Sequence, residues 1–354
     1  MMSRELPFIK IPAKKGEKVR KLLQEVQLLA KDYKILVEGL TLFIPLQLDT
    51  KVEKIRALLE DDNIETGTRL FEPAIEGPKS LAEALEGVLS PREIGFLPRA
   101  YDLIGDIAVL EIPGEIEAHS IRIGNAFRSV HSNFSTVLAK KGAITGATRV
   151  REYRLLAGVD KTRTVHTEYG CKIAVDLANA YFSPRLLEEH NRVSDQVNVG
   201  EVVVDMFTGV GPFALHIARK QNARVIAIDI NPLAIELLHE SMAMNKLVGT
   251  IEPVVADAHK YAPANFDHDV DRVIMNHPSG AFDFIADACQ SLREGGIIHY
   301  YDFGAGENPE DEIVSKVSRL VRAAGKGTPE VLHVRRVRDS APYEYQMVVD
   351  LVIS

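Results

Sequence analysis

The sequence is poor in cysteine and tryptophan. Among its 354 residues it has no tryptophan and two cysteines, Cys171 and Cys289. Two cysteines so far apart form neither a disulfide framework nor a metal-binding spacing, and we interpret both as packing residues. Neither end shows an apolar run long enough to span a bilayer, and the first residues lack the apolar segment of a signal peptide. We therefore expect a cytoplasmic protein, in a reduced setting, without membrane association.

Charge is unevenly distributed along the chain. The formal net charge of −8 argues against indiscriminate binding to nucleic acid. Basic residues nevertheless cluster in two segments. The first cluster comprises Lys14, Lys15, Lys18, Arg20 and Lys21. The second comprises Lys140, Lys141, Arg149, Arg151, Arg154, Lys161 and Arg163. Each cluster is either an ordinary solvated face or a footprint for a phosphate backbone, and charge alone leaves both interpretations open.

One stretch of the sequence predicts a nucleoside-binding unit. Residues 202–205 form an apolar, β-branched run typical of a buried parallel strand, and a turn containing Gly209 and Gly211 leads into a helical pattern. A second predicted strand, 224–230, carries Asp229 near its end, where a carboxylate can accept hydrogen bonds from a ribose. The turn lacks the P-loop lysine and the third glycine of the dinucleotide fingerprint. A smaller ligand such as S-adenosylmethionine is therefore favoured.

Three further polar groups follow predicted strands: Asp205, Asp257 and the triplet Asn276-His277-Pro278. Ligands of an open α/β sheet bind beyond the carboxyl ends of its strands. Taken singly, each group has the simpler interpretation of a helix cap or turn former. Together with Asp229, they are expected to surround a nucleoside cofactor.

The order of predicted elements indicates the fold class. Strands alternate with helices over the second half of the chain, and two consecutive strands close it. This predicts an α/β fold, a Rossmann-like domain with a doubly wound, mostly parallel sheet and an antiparallel edge, preceded by two smaller α+β domains. We place the domains at 1–68, 69–180 and 181–354, with a linker over 66–78 and a helix opened by Ser183-Pro184.

Five segments carry motifs that are specific in combination. They are Arg149-Val-Arg-Glu-Tyr-Arg-Leu-Leu-Ala-Gly158, Thr164-Val-His-Thr-Glu-Tyr-Gly170, Val175-Asp-Leu-Ala-Asn-Ala-Tyr-Phe-Ser-Pro-Arg185, Asp205-Met-Phe-Thr-Gly-Val-Gly-Pro212 and Asp229-Ile-Asn-Pro232. Together they resemble the archaeal and eukaryotic tRNA (guanine37-N1)-methyltransferases. The first sixty-odd residues resemble the small N-terminal domain of the archaeal enzymes, so the resemblance covers essentially the whole chain.

The resemblance implies a reaction and its partners. A methyl group would pass from S-adenosylmethionine to N1 of guanosine 37, next to the tRNA anticodon, giving 1-methylguanosine. The Rossmann-like domain would hold the donor, the middle domain would complete the site, and the N-terminal domain would check the outer corner of the tRNA. We expect tRNA as partner, contacted at its anticodon loop and outer corner, a monomeric enzyme and no metal.

The resemblance also implies roles for individual residues. Those implied to bind the donor are Asp229 (ribose hydroxyls), Asp257 (adenine amino group), Phe207, Gly209 and Gly211 (pocket floor), Tyr181 and Arg185 (methionine end), and Asp205 beside the glycine turn. Those implied to act on the guanine are Glu189 as general base, Arg149 as a base-contacting arginine and Asn276 of an Asn-x-Pro motif. Pro278, Arg151, Lys140 and Lys141 are expected to contact the tRNA.

These residue types suit the chemistry. Guanine N1 carries a proton that a carboxylate can take, and a guanidinium can meet the negative charge that then grows on O6. Simpler interpretations exist, because Arg149 could belong only to the basic cluster and Glu189 could be a solvated helix residue. Its neighbour Glu188 leaves room for a shift of one residue.

The sequence departs from the family pattern at two positions. His277 takes the middle of the Asn-x-Pro motif, where an apolar residue is common, and His190 follows Glu189 where arginine is often found.

Three alternatives remain at this stage. The chain could be an aminocarboxypropyl transferase or a wyosine-pathway methyltransferase acting on the same tRNA position, or a non-catalytic tRNA-binding protein. The Asn-x-Pro motif argues against the first, because those relatives lack it.

Overall fold

The structure, a computed structural model, describes residues 3–61, 64–74, 77–145, 150–278, 280–341 and 343–354. Contacts divide the chain into two compact units, Met1–Glu83 and Ala84–Ser354. The second unit holds most of both the middle and the Rossmann-like domains expected from the sequence. Each unit is described by itself below.

The first unit is a small antiparallel sheet with two helices. It contains β1 (Arg4–Pro12), α1 (Gly16–Glu25), β2 (Leu36–Glu38), β3 (Thr41–Pro45), α2 (Val52–Leu59) and β4 (Glu65–Phe71). The strands lie in the order β2-β3-β1-β4. The core consists of fully buried side chains from both layers: Ile9 and Ile44 from the sheet, Leu23 from α1 and Ile55 from α2.

The linker predicted over residues 66–78 is wrong in its first half. Residues 65–71 form β4, which pairs with β1 from Arg4↔Phe71 to Lys10↔Glu65. The Glu-Pro and Gly-Pro pairs lie beyond this strand and mark the connection that follows it. Residues 75 and 76 lie outside the described part of the chain.

The second unit begins with an α+β segment. The short helix α3 (Leu81–Ala84) lies across the boundary between the two units. The elements that follow it are α4 (Pro91–Ile94), β5 (Asp102–Ile104), β6 (Ile107–Leu110), α5 (Ser120–Val130), β7 (Thr136–Thr145) and β8 (Val150–Gly158). The strands lie in the order β5-β6-β7-β8, and β6 and β7 run parallel because α5 crosses between them. α3 ends at Ala84, and Ser90 caps the next helix, α4.

A hairpin and a helix lead into the large sheet. They are β9 (Arg163–Glu168), β10 (Cys171–Asp176) and α6 (Leu187–Gln196). The hairpin turn at Tyr169 and Gly170 has positive φ at both residues, 45° and 78°. Positive φ at a tyrosine carries some strain, and the glycine next to it carries none.

The large sheet confirms the predicted architecture. Its elements are β11 (Val202–Asp205), α7 (Pro212–Lys220), β12 (Arg224–Asp229), α8 (Pro232–Met244), β13 (Thr250–Val255), α9 (Ala258–Asn265), β14 (Val270–Met275), α10 (Ile285–Ser291), β15 (Leu292–Ala305), α11 (Pro309–Ala323), β16 (Glu330–Ala341) and β17 (Glu344–Ile353). The strand order is β13-β12-β11-β14-β15-β17-β16, with β17 antiparallel to both of its neighbours.

Alternating strand residues separate two hydrophobic cores. Val203 and Val225 face a core shared with α6, α7 and α8, whereas Val204 and Ile226 face one shared with α9, α10 and α11. Helices therefore cover both faces of the sheet. The first core also contains side chains of the α+β segment, such as Leu138. This shared core explains why that segment and the large sheet form one compact unit.

Both cysteines are packing residues, as the sequence predicts. Cys171 and Cys289 are both free and buried, and burial raises the pKa of each thiol to about 11. Among the described residues, none of the helices combines the length and apolar character needed to cross a membrane.

Candidate functional site

The glycine turn between β11 and α7 has a backbone conformation that few residues other than glycine adopt. Gly209 and Gly211 have φ of 55° and 81°. A Cβ at Gly211 would stand 2.3 Å from a methyl carbon of Leu238 on α8. Gly211 is therefore required by close helix packing, while Gly209 directs its N–H toward the end of β12.

Asp229, at the end of β12, anchors this turn. Its carboxylate accepts hydrogen bonds from the backbone N–H groups of Gly209 (2.7 Å) and Asn231 (2.9 Å). Burial raises the pKa of Asp229, and those backbone hydrogen bonds oppose the rise. Each carboxylate oxygen has a further lone pair, so the group can hold the turn and still accept from a ligand.

A cavity of about 200 Å³, here called the strand-end cavity, lies beyond the carboxyl ends of β11, β12, β13 and β14. Seven residues predicted for the site line it: Tyr181, Phe207, Gly209, Asp229, Asp257, Asn276 and Pro278. Phe207 packs against His277 and Phe284, with ring centroids 4.8 Å away in each case. The cavity thus has carboxylates on one side and an aromatic floor.

Two of its polar groups are held in place by neighbours. Asp257 accepts a hydrogen bond from the backbone N–H of His259 (3.0 Å) and so caps α9. The amide oxygen of Asn276 accepts from the side chain of Gln346 on β17 (3.3 Å). These contacts fix both side chains at the cavity wall.

A second, more polar cavity of about 130 Å³, here called the basic cavity, adjoins the α+β segment. Its charged lining residues are Asp102, Lys140, Arg151, Arg185 and Arg338. Asp102 lies 3.1 Å from Lys140 and 2.7 Å from Arg185. Burial acts to raise the pKa of Asp102, but the two cations outweigh it and the pKa is lowered. The cations outnumber the single carboxylate, which suits an anionic ligand.

Tyr181 lines both cavities. Its hydroxyl accepts a hydrogen bond from Arg338 (3.4 Å), and Arg338 also donates to the Ser183 hydroxyl (3.1 Å) and the Gln346 side chain (2.7 Å). Because Gln346 in turn contacts Asn276, one hydrogen-bonded chain connects the two cavities.

This chain also corrects the prediction for Ser183, which forms no capping hydrogen bond. Its hydroxyl is occupied by Arg338, and the helix after it begins as a 3-10 turn, Pro184–Leu186. Sequence reasoning missed Arg338. The run Arg335-Arg336-Val-Arg338 in a predicted closing strand was the signal that could have identified it.

Glu189 lies in neither cavity. It is fully buried on α6, where it accepts hydrogen bonds from Tyr301 (2.7 Å), Arg192 (2.9 Å) and Arg335 (2.7 Å). Burial acts to raise its pKa, but Arg192, Tyr301 and Arg335 outweigh that effect and leave the pKa lowered. The interpretation as a solvated helix residue is therefore wrong, whereas Glu188 is exposed and accepts from the Tyr169 hydroxyl (2.8 Å).

Other predicted residues also lie away from the cavities. Asp205 is fully buried behind the wall, both its oxygens lack a hydrogen-bond partner among the described residues, and burial raises its pKa to about 7. Lys141 is exposed and pairs with Glu152 at 3.0 Å. Gly211 packs against α8, as described above. Arg149 lies outside the described residues.

The second basic cluster is largely neutralised. Lys140, Lys141, Arg154, Lys161 and Arg163 each form an ion pair with a carboxylate. In the described structure this cluster is mainly an ion-paired face, and Lys140 and Arg151 are its members that line the basic cavity.

Family comparisons match three parts of the chain. Residues 164–332 match the TRM5/TYW2 methyltransferase domain, 81–162 the TYW2 N-terminal domain and 9–51 the tRNA methyltransferase 5 N-terminal domain. The matched regions together span both compact units.

Characterised relatives align over most of the sequence. The chain is 37% identical over 347 residues to tRNA (guanine(37)-N(1))-methyltransferase Trm5b of Pyrococcus abyssi, covering 98% of each chain. It is 32% identical to tRNA(Phe) (4-demethylwyosine(37)-C(7)) aminocarboxypropyltransferase of Pyrococcus horikoshii, covering 77% of this chain and 95% of that one.

Solved structures give the same grouping. The crystal structure of Trm5b from Pyrococcus abyssi matches with a TM-score of 0.70 and 36% identity, covering 99% of each chain. A complex of aTrm5 with tRNALeu matches with a TM-score of 0.68 and 35% identity, covering 98% of this chain and 99% of that one.

Proposed function

Because the chain belongs to the TRM5/TYW2 methyltransferase family, we propose that it transfers the methyl group of S-adenosylmethionine to N1 of guanosine 37 in tRNA. The product is 1-methylguanosine. The similarity to Trm5b extends over nearly the whole chain, including the first unit, and this favours the methyltransferase branch over the shorter match to the aminocarboxypropyl transferase.

The observation that carries this proposal is the position of Tyr181 between two unlike cavities. The strand-end cavity offers what an adenosyl donor needs: carboxylates at Asp229 and Asp257, a glycine turn that admits close approach, and the aromatic floor of Phe207. The basic cavity offers cations to an anionic nucleic acid. Transfer between the two ligands requires the cavities to adjoin, and they share Tyr181.

The bound donor supplies an electrophilic methyl group on a sulfonium. We assign Asp229 to the ribose hydroxyls and Asp257 to the adenine amino group, as acceptors held in place by backbone contacts. Phe207 excludes water from the floor of the cavity. Tyr181 and Asn276 stand at the border where donor and base would meet, so their part is to orient the two reactants.

We keep Glu189 as the proposed base for the N1 proton, with Arg149 proposed to meet the charge on O6. In the described state the Glu189 carboxylate is held by Arg192, Arg335 and Tyr301. The side chain of Arg335 is 37% exposed, so it forms the solvent-facing side of this buried group. Displacement of Arg335 by the anionic tRNA would open Glu189 and make it more basic.

The first unit is proposed to dock on the outer corner of the tRNA. Residues 9–51 of this unit match the tRNA methyltransferase 5 N-terminal domain, and this match supports the proposal. A groove of about 700 Å³ in the unit is lined by three lysines and three acids, so its charge alone does not select phosphates. The protein would act as a monomer in the cytoplasm.

The mass of a tRNA transcript incubated with protein and donor tests the function. We expect a gain of one methyl group, located by nuclease digestion at position 37, and none on a transcript with adenosine at that position. A gain of an aminocarboxypropyl group would establish the nearest alternative, and methylation of a wyosine precursor alone would place the enzyme in that pathway. Tight binding with no gain in mass would indicate a non-catalytic tRNA-binding protein.

A further inference from the structure

A buried cluster of one carboxylate and two imidazoles lies outside both cavities. Glu168 ends β9, His190 lies on α6 and His216 lies on α7, and each is about 1% exposed. One ligand atom from each of the three residues lies within 4.8 Å of the others. The carboxylate Oε2 is 2.8 Å from Nδ1 of His190 and 3.3 Å from Nε2 of His216.

Several polar atoms of this cluster have no hydrogen-bond partner among the described residues. They are Oε1 of Glu168, Nε2 of His190 and both ring nitrogens of His216. Buried polar side chains are nearly always paired, because each unpaired group loses its hydration without compensation. Such atoms are ordinarily satisfied by a buried water molecule or by an ion.

Glu168 also needs a compensating positive charge. In the described part of the chain, its ion-pair partners are all histidines and include no lysine or arginine. The nearby cations on α7 are used elsewhere, because Arg219 donates to the carbonyl of Tyr169 and Lys220 pairs with Asp195. The compensating charge is therefore either a proton on an imidazole or a metal ion.

The convergence of three ligand atoms points to a metal. Oε2 of Glu168 lies 2.8 Å from Nδ1 of His190 and 3.3 Å from Nε2 of His216, so one ion between them could contact all three residues. A metal ion takes lone pairs directly from a carboxylate and two neutral imidazoles.

We propose that Glu168, His190 and His216 bind a divalent transition-metal ion of the zinc type. Zinc bonds of about 2.0–2.2 Å to nitrogen and oxygen place ligand atoms about 3.4 Å apart in a tetrahedron. Two of the observed separations are already 2.8 Å and 3.3 Å, so small side-chain shifts suffice. Three protein ligands leave one position for a water molecule.

His166 has a different part in this site. Its Nδ1 accepts a hydrogen bond from the backbone N–H of Gly105 (3.1 Å), so in the neutral ring the proton is on Nε2. That nitrogen lies 3.8 Å from Oε1 of Glu168. This distance is too long for a hydrogen bond, so His166 faces the carboxylate from outside the cluster and is not one of the proposed ligands.

The ion would serve structure. It joins the β9–β10 hairpin to α6 and α7 at a point next to Glu189, the proposed base on α6. The site can therefore be tested by measuring metal content and thermal stability, without an assay of methyl transfer.

Metal content of the intact, tag-free protein tests the site. Protein produced in zinc-supplemented medium and passed over a desalting column should retain about one zinc ion per chain. Substitution with Co²⁺ should give visible absorption bands of a nitrogen- and oxygen-ligated ion, without the charge-transfer band of a thiolate. Prolonged treatment with a chelator should lower Tm by several degrees, and added zinc should restore it.

Two variants assign the ligands, and a third serves as control. His190→Gln and His216→Gln keep a polar side chain but should lower the zinc content to below about a tenth of an ion per chain. His239→Gln changes an exposed histidine on α8 and should leave it unchanged.

Wild-type protein with no bound zinc after supplementation, and with no cobalt spectrum and no change in Tm, would overturn the proposal whatever the variants do. Equal zinc loss in all three variants would also overturn it. If the glutamine variants fail to fold, the cobalt spectrum of the wild type decides.

Discussion

The partners of Glu189 affect both its basicity and the stability of the protein. Glu189 is fully buried and its pKa is lowered, so in the described state it is ionised at neutral pH but weakly basic. A lowered folded-state pKa contributes stability that is present above the unfolded-state pKa and is lost as pH falls through the folded-state value. The ion-paired form of Glu189 therefore stabilises the folded protein. To act as a base, Glu189 must first leave these ion pairs.

Glu189→Gln should reduce single-turnover methylation by about 10²–10⁴-fold, because it removes the basicity and keeps the shape. It should also destabilise the protein, since breaking a buried ion pair costs about 3–5 kcal/mol. The rate is therefore measured at a temperature where circular dichroism shows both proteins folded.

Glu188→Gln is the matched control, because Glu188 is exposed and accepts a hydrogen bond from the Tyr169 hydroxyl. It should be nearly silent in rate and stability. Full activity of both variants would show that another group takes the proton.

Asp229→Asn should weaken donor binding about tenfold or more, since losing a charged hydrogen-bond partner costs about 1.5–3 kcal/mol. The variant has one acceptor oxygen where Asp229 has two, so the N–H of either Gly209 or Asn231 loses its acceptor and the turn should loosen. Isothermal calorimetry with S-adenosylmethionine measures the change. Asp267→Asn, at an exposed position, is the control, and wild-type affinity in Asp229→Asn would contradict the assignment.

Asp205 gives a pH prediction. Its pKa rises from 3.8 to about 7 in the folded protein, so its contribution to stability is present below pH 4 and is lost as pH rises toward 7. Asp205→Asn mimics the neutral form at every pH. Its free energy of unfolding should match the wild type near pH 4 and exceed it by about 4 kcal/mol above pH 7. A pH-independent difference would show that Asp205 is not buried as described.

At the scale of single residues, the sequence predicts which polar side chains follow the strands, but not which side chains they contact. Asp229, Asp257 and Asn276 were predictable because strand ends converge at one edge of a parallel sheet. The network around Glu189 was not, because Arg335 is 146 residues away and no local pattern records such a contact. Arg338 was missed for the same reason.

Among the elements, the glycine turn can be tested with a matched pair of substitutions. Gly211 and Gly295 have similar φ, 81° and 77°, but a Cβ would strike Leu238 at Gly211 and meet nothing within 4 Å at Gly295. Gly295→Ala should cost about 1 kcal/mol, for conformation alone. Gly211→Ala should cost about 1–3 kcal/mol more, for overpacking. Chemical denaturation measures both, and equal losses would contradict the packing role.

Elements with a strong period were predictable from the sequence. The helical pattern predicted after the glycine turn is confirmed as α7, because proline opens it and the buried strands on either side leave little freedom. The strand β4 was missed because its half-exposed residues bury little apolar surface of their own. It is recognisable only through its pairing with β1, which the local sequence does not show.

At the scale of the whole molecule, the division into units alters a truncation experiment. A cut after residue 68 would split β4, whereas a cut between Glu83 and Ala84 follows the contact boundary and divides only the four-residue helix α3. The fragment 84–354 should bind the donor with wild-type affinity but discriminate less well among tRNAs with damaged outer corners. Loss of donor affinity in this fragment would show that the first unit takes part in the donor site.

The shared wall at Tyr181 has a consequence for the order in which ligands bind. Tyr181 borders both cavities, so a ligand that moves this side chain in one cavity also changes the wall of the other. Linkage then requires reciprocity: whatever factor the donor applies to tRNA affinity, tRNA must apply to donor affinity. Since the chain has no tryptophan, Tyr181→Trp would introduce a single tryptophan. Its fluorescence would report donor binding with and without tRNA, and tRNA binding with and without donor.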